Sequence, residues 1–471
     1  MVERRDFIKK SLIGAAGVAI GGMGFSAKSY GSIMGANERI TMGVIGIRNQ
    51  GSAHINAWCG LKDSHNVRLK TLCDTDERLF DSRSKIVTDK TGTKPLTEWD
   101  LHKVLDDKEI DAVSIVTPNH WHALATIWAC QAGKHVYVEK PAMHNIWEGR
   151  KMIEAARKYD RRVQVGLNNR SIPNVREAIK FLHDGGIGEV YMARGLGYKG
   201  RDSFGMAKDS TPPEGFHYDR WLGPATYRPY NEKRSHYNFH WYWDTGNGDI
   251  GNTGTHQYDI ARWGLNKNEH PVAVYSTGGI FGFNQDEHSP KTPGVLVYGD
   301  VEAYGHDKTS QETPNTQTCV SEYDDGKMLE FEVRGRYTNT ESSLGIEVGN
   351  IFYGTDGYLE LNGDTWKAFR GRETKPFAGS KKDENRKEAF EHWANFLDGI
   401  RADKNESLHA DINDGFFSSA LPLLSNISYR LKRRLNFMGG DMDNERFIND
   451  AEANAMLTRI YRPPYVVPDQ V

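Results

Sequence analysis

An apolar run ends in Gly43-Val44-Ile45-Gly46-Ile47-Arg48-Asn49-Gln50-Gly51 and leads into a stretch with helical spacing. In that arrangement the free N–H groups of a helix N-terminus can receive a pyrophosphate. Gly46 permits the tight turn and Gly51 the close approach of helix to strand. Arg48, however, stands where a middle glycine normally lets the backbone reach the phosphates. Its guanidinium therefore either faces away or itself meets a phosphate. Asp74 closes the next apolar run, where a carboxylate accepts both ribose hydroxyls of an adenosine and repels a 2′-phosphate. NAD is expected, and NADP is disfavoured. Thr117-Pro118-Asn119-His120-Trp121-His122 and Glu139-Lys140-Pro141 each follow a further apolar run. They belong at the C-terminal edge of a parallel sheet, where ligands bind. Thr117, Asn119, His122 and Glu139 are cofactor candidates, with helix capping and packing the plainer role for the first three. Lys140 would lie beside the nicotinamide. His120 and His122 lack a third ligand nearby, so no metal is expected.

These groups need a scaffold, and the order of elements supplies one. Ile40–Ile47, Val67–Cys73, Ala112–Thr117, His135–Val138 and Val163–Leu167 read as strands, with helical spacing over Trp121–Ala132 and Ile146–Tyr159. That βαβα order predicts a parallel sheet covered by helices, a Rossmann domain over 37–168. Residues 169–471 read as a second α/β domain. It carries a helix at Val175–His183, a strand at Val190–Gly195 and a mostly antiparallel open sheet from Val272–Thr277, Thr316–Glu322, Met328–Arg334 and Gly345–Tyr353. Two helices close it, around Lys387–Arg401 and Gly415–Arg434. Between strand and sheet, Lys199 to Asn252 is too long for an ordinary connection and is expected to be functional. Its aromatic and polar residues, with Tyr198 just before it, could stack on and hydrogen-bond a sugar; Tyr198, His217, Tyr237, His240 and Trp241 are the candidates. A loop packed down by its own aromatic groups is the alternative.

With 60 basic and 63 acidic residues in 471, the net charge is −3. No basic face marks a nucleic-acid binder, and a small polar substrate fits better. Cys59, Cys73, Cys130 and Cys319 show no CxxC, hence neither a zinc site nor a disulfide framework. The N-terminus opens Glu3-Arg4-Arg5-Asp6-Phe7-Ile8-Lys9-Lys10 and continues through a Gly/Ala-rich, weakly apolar stretch to about Ala27. It resembles a twin-arginine signal, and residues 1–36 are expected to be signal and linker. That predicts periplasmic export in the folded state, with no stable membrane anchor after cleavage.

Glu139-Lys140-Pro141, Thr117-Pro118 with His122, Val165-Gly166 followed by Asn168-Asn169-Arg170, and Gly254-Thr255-His256-Gln257-Tyr258-Asp259 together resemble the Gfo/Idh/MocA family of glucose–fructose oxidoreductase and inositol dehydrogenase. The resemblance implies a Rossmann domain, a second α/β domain that often mediates homo-oligomer contacts, and a substrate between them. It implies that Lys140 orients a substrate hydroxyl and relays its proton, that His256 is a general acid/base, and that Arg170 contacts cofactor. Asn252 stands where many members carry Asp, and an amide takes no proton. Asn252 and Asp259 are substrate-side candidates, Asp259 either orienting His256 or packing. The implied activity is NAD-dependent oxidation of a sugar, glycoside or polyol carbinol with tightly held cofactor. Two readings stand beside it: a redox-neutral NAD-dependent glycosidase, and a non-catalytic NAD-binding protein.

Overall fold

The computed structural model describes residues 38–281, 309–336, 338–363, 365–382, 390–438 and 445–471. The twin-arginine segment lies outside them. Six strands, β1 (Ile40–Ile45), β2 (Val67–Cys73), β3 (Leu96–Glu98), β4 (Ala112–Ile115), β5 (His135–Val138) and β6 (Val163–Val165), form an all-parallel sheet in the order β3-β2-β1-β4-β5-β6. Every residue of β1, β4 and β6 is buried, as a sheet covered on both faces requires. The order reverses between β1 and β4. The C-terminal ends of those strands therefore open a crevice, and ligands bind at such a switch point.

The helices that bear on the site are α1 (Asn49–Gly60), α2 (Asn119–Gln131), α3 (Ile146–Lys158), α4 (Gly248–Asn252), α5 (Gly254–Gly264), α6 (Glu391–Ala402) and α7 (Ile412–Leu431). Asn145 caps α3 by accepting from Glu148 N at 3.0 Å, while Glu148 reaches back to His144 N at 2.8 Å. This capping box fixes the chain immediately after the Lys140 turn.

A second sheet is built from β7 (Val190–Gly197), β8 (Ala273–Gly279), β9 (Thr316–Glu322), β10 (Met328–Arg334), β11 (Val348–Gly354), β12 (Gly357–Leu361), β13 (Trp366–Arg370), β14 (Ala378–Gly379) and β15 (Leu435–Asn436), in the order β14-β13-β12-β11-β7-β10-β9-β8-β15. Its pairings are antiparallel except between β10 (Met328–Arg334) and β7, so the fold class read from the sequence holds. Helix α5 lies flat on this sheet. A Cβ on Gly254 would stand 2.9 Å from Phe331, and Tyr258 stacks on the same ring at 4.5 Å. That close seat fixes the height of His256, two residues along. The chain's last third returns to the first sheet: Trp393, Phe396 and Leu397 of α6 share a core with Trp58 and Tyr137, and Phe416, Tyr465 and Val467 share one with β4 and β5. The four cysteines are buried and unbridged. Among the described residues no helix is long and apolar enough to cross a membrane.

Candidate active site

A cleft of about 350 Å³ follows the crevice at the strand ends and carries both the fingerprint turn and the Lys140 turn on its walls. At its dinucleotide end Gly46 has φ +88°, and a Cβ there would lie 2.5 Å from the Val116 carbonyl oxygen. On Gly51 a Cβ would fall 2.0 Å from the Gly46 oxygen. Both positions therefore require glycine, and the pyrophosphate cradle survives without the middle one. Asp74 accepts from Ile47 N at 2.8 Å and from Asp76 N at 2.9 Å, which aims the carboxylate along the turn. Burial pushes its carboxyl up to about 6, against the pull of those two donors. Arg48 turns to Asp76, donating to Oδ2 at 2.6 Å, and Arg78 donates to Oδ1 at 2.6 Å. The guanidinium at the missing-glycine position is thereby committed to a carboxylate beside the ribose edge. This also withholds it from a 2′-phosphate. Asp76 was not singled out in the sequence, although the Asp74-x-Asp76 spacing was there to read.

These contacts fit NAD. Gly46 and Gly51 would admit the pyrophosphate to the N-terminus of α1, and Asp74 would accept the ribose hydroxyls. Because only the ionised carboxylate accepts both hydroxyls, NAD affinity is expected to fall as the pH drops through about 6. Asp74→Ala should weaken NAD by roughly tenfold, the worth of a charged hydrogen bond, abolish that pH step and admit NADP. Fluorescence titration with both dinucleotides on either side of that pH checks this. Affinities indifferent to pH and to the substitution would leave Asp74 a turn former.

At the reacting end, Lys140 Nζ donates to the Asn252 carbonyl oxygen at 2.7 Å and lies 3.2 Å from Asn252 Oδ1. The tether joins the end of β5 to the end of α4. Burial lowers the Lys140 pKa, Glu139 opposes that shift, and Lys199 and Arg201 add to it. His256 also lines the cleft, and its Nδ1 is buried with no hydrogen-bond partner among the described residues. Burial and then the Lys140 charge push its imidazole down to about 3. The site thus holds a lysine primed to lose its proton beside a histidine that is neutral at any ordinary pH. Asn252 anchors Lys140 through two oxygens, neither of which can take up a proton.

Glu139 brackets the turn from beneath. Its Oε1 lies 2.8 Å from His54 Nε2 and accepts from Gln50 at 3.1 Å, while Oε2 accepts from Lys140 N at 3.1 Å. Gly166 leaves room for this carboxylate, since a Cβ there would come within 2.9 Å of Oε1. Burial raises the Glu139 pKa, but the His54 hydrogen bond and neighbouring charges outweigh it and hold the carboxyl at about 2. His54 and Gln50 are partners that the sequence did not reveal. His122 lies between the Pro141 and Thr117 carbonyl oxygens at 2.7 and 2.8 Å. Burial lowers its pKa, so the neutral ring donates to one of the two and staples the loops together. Thr117 and Asn119 line the cleft, and Thr117 Oγ1 is buried without a partner among the described residues.

The long segment after β7 crosses this cleft. Phe216, His236, Tyr237 and His240 form part of its wall. Gly215 O accepts from Glu77 N at 2.9 Å and Thr75 O from His217 N at 2.8 Å, strapping the segment to the end of β2. His217 itself stacks on Trp99 at 4.2 Å, at this rim rather than in the cleft. Tyr198 and Trp241 are placed elsewhere. The Tyr198 hydroxyl lies against Glu332 and Glu341 and donates to one of the two carboxylates, and the buried Trp241 indole donates to Asp249 at 3.3 Å. Arg170 and Asp259 are likewise away from the cleft wall: Arg170 Nε donates to both Asp259 oxygens at 2.9 Å, and Nη1 reaches Asp414 at 3.0 Å. The buried guanidinium is held between two carboxylates, away from the cofactor cleft. Arg170→Ala would strand the Asp259 carboxylate, at a cost of about 3–5 kcal/mol. A large drop in melting temperature with unchanged NAD stoichiometry is the expected result; loss of NAD without destabilisation would return Arg170 to the cofactor.

A parallel sheet in this order, a glycine turn with its ribose carboxylate, and a lysine–histidine pair define a Rossmann protein with a second α/β unit at its ligand edge. Residues 40–167 match the oxidoreductase family with an NAD-binding Rossmann fold, and residues 194–279 match the oxidoreductase family C-terminal α/β domain. Over these two stretches the chain matches the Gfo/Idh/MocA oxidoreductase family. A glycosyl hydrolase family 109 protein of Shewanella pealeana is 28% identical over 171 residues, 33% of this chain and 37% of that protein. Levoglucosan dehydrogenase of Pseudarthrobacter phenanthrenivorans is 28% identical over 178 residues, 38% of this chain and 39% of that one. The chain thus spans well under half the length of these relatives. The aldose–aldose oxidoreductase of Caulobacter crescentus shares the fold, with TM-score 0.58 and 17% identity over 84% of this chain and 99% of that chain.

Proposed function

We propose that the protein oxidises a carbinol of a sugar, glycoside or polyol, using an NAD that it retains between turnovers. The observation that carries this reading is Lys140: it is half-buried on the cleft wall, its pKa is lowered, and it is tethered to Asn252 on the same wall as His256. NAD, when bound, supplies the hydride acceptor. Lys140 takes the hydroxyl proton, and His256, neutral and with Nδ1 unpaired among the described residues, orients that hydroxyl. The family 109 relatives favour a redox-neutral glycosidase as the second reading. There, a sugar oxidised at C3 loses its acidified C2 proton and then its aglycone, adds water and is reduced again. Incubation with a panel of glycosides separates the two. Net change in nicotinamide absorbance marks the oxidoreductase, and free reducing sugar without it marks the glycosidase. A retained dinucleotide that responds to no sugar would mean binding without catalysis.

The proposed setting is the periplasm, reached through the twin-arginine motif at Arg4 and Arg5. Replacing both with lysine is expected to hold the folded protein in the cytoplasm, as read by fractionation. Undiminished export would point to another route. The homo-oligomer implied by the family resemblance belongs to the same proposal.

A further inference from the structure

Apart from the cleft, a second cavity of about 350 Å³ lies between the C-terminal half of α7, residues 243–247 and residues 455–460. Four groups give it a chemistry. Arg430 lies over the Trp243 ring at 5.2 Å and has no hydrogen bond or ion pair among the described residues. A guanidinium held over an indole by cation–π attraction keeps N–H donors that an acceptor can meet. Arg459 donates to the Asp244 carbonyl oxygen at 2.9 Å and lies 3.1 Å from His144 Nδ1. Neither of these partners cancels its charge: the first is a neutral carbonyl, and burial keeps His144 uncharged. The Asp244 carboxylate is engaged by Arg228 at 2.8 Å. Two cations therefore border the cavity with no uncommitted anion opposite them. Asn247, 6% exposed and on the same wall, leaves Nδ2 buried and without a partner among the described residues. An unpaired amide donor is costly unless something meets it.

We propose that this cavity binds a small organic oxyanion of monosaccharide size, its carboxylate or phosphate held by Arg430 and Arg459 and its polar body by Asn247. The volume sits at the lower end of small-molecule sites, larger than a bare ion needs. Carboxylate and phosphate share the recognition chemistry, and the probes tell them apart. Protein carrying its dinucleotide is titrated calorimetrically with glucuronate, glucose 6-phosphate and inorganic phosphate, beside the Arg430→Gln variant. Arg430 is exposed on the helix face, so the variant should fold and keep its NAD. At least one sugar anion is expected to bind one to one with submillimolar Kd, at least tenfold weaker in Arg430→Gln, with unchanged NAD content in both proteins. Tighter binding of glucuronate identifies a carboxylate site, and tighter binding of glucose 6-phosphate a phosphate site. Absence of saturable binding by either sugar anion, or binding indifferent to Arg430→Gln, overturns the proposal.

Discussion

Lys140→Ala is expected to lower turnover by at least about a thousandfold, the scale of a lost general base, while the protein keeps its full complement of NAD. The side chain's bonds run to Asn252, across the cleft from the fingerprint turn, so its loss removes nothing that holds the pyrophosphate or ribose. The pH profile carries a sign. Oxidation needs Lys140 unprotonated, so its rate should rise with pH through the lowered lysine pKa and then level off. Reduction needs the ammonium and should fall over the same range. His256, held near 3, should add no limb at neutral pH, although His256→Ala should still cost much of the rate through lost orientation. Lys140→Arg separates tethering from proton transfer: a guanidinium can reach the Asn252 oxygens but stays protonated. It should be as inactive as alanine. Bound NAD reduced at the normal rate by Lys140→Ala would end the assignment.

What the sequence disclosed divides along physical lines. Gly46 and Gly51 were legible because a backbone that approaches itself within 2.0 Å of a would-be Cβ admits one residue type. Asp74 was legible because its place follows from the strand's end. The strands of the first sheet were legible as unbroken apolar runs, the signature of burial on both faces. Asp76, His54 and Gln50 escaped because which charged side chain turns toward a neighbour is settled by contacts distant in sequence. The return of Trp393 and Phe396 to the first sheet's core, and of Tyr465 to the cleft wall, likewise leaves no local periodicity to read. The family resemblance makes Arg170 a cofactor contact and leaves Asp259 between orienting His256 and packing. The structure pairs the two with each other, Arg170 also reaching Asp414 and Asp259 also accepting from Ser418, contacts distant in sequence that a motif does not disclose.

After purification without added cofactor and a day of dialysis, the protein is expected to retain about one dinucleotide per chain, which requires a dissociation rate below about 10⁻⁶ per second, at the slow end of known residence times. The sequence leaves Arg48 two placements, facing away or meeting a phosphate. The structure places its guanidinium on Asp76, 3.4 Å from His236 of the crossing segment. Retention is therefore assigned to the strap. The backbone bonds at Gly215 and His217, the His217–Glu77 contact at 2.5 Å and the His217–Trp99 stack close the segment over the adenosine end. Release would have to break several of these together, whereas binding energy at the pyrophosphate alone would let the adenosine end fray. Loss of the side-chain latch in a His217→Ala, Glu77→Ala double variant should speed NAD release by tenfold or more and leave the turnover of the still-loaded protein unchanged, because neither residue lies near Lys140. Retention matters most in the proposed periplasmic setting. With no free NAD pool to draw on, the enzyme must regenerate its cofactor in place, either from a second carbonyl substrate or by returning the hydride to the same sugar. An apo-protein that requires millimolar NAD for each turnover would refute the closed cycle, and unchanged release from the double variant would move the barrier away from the strap.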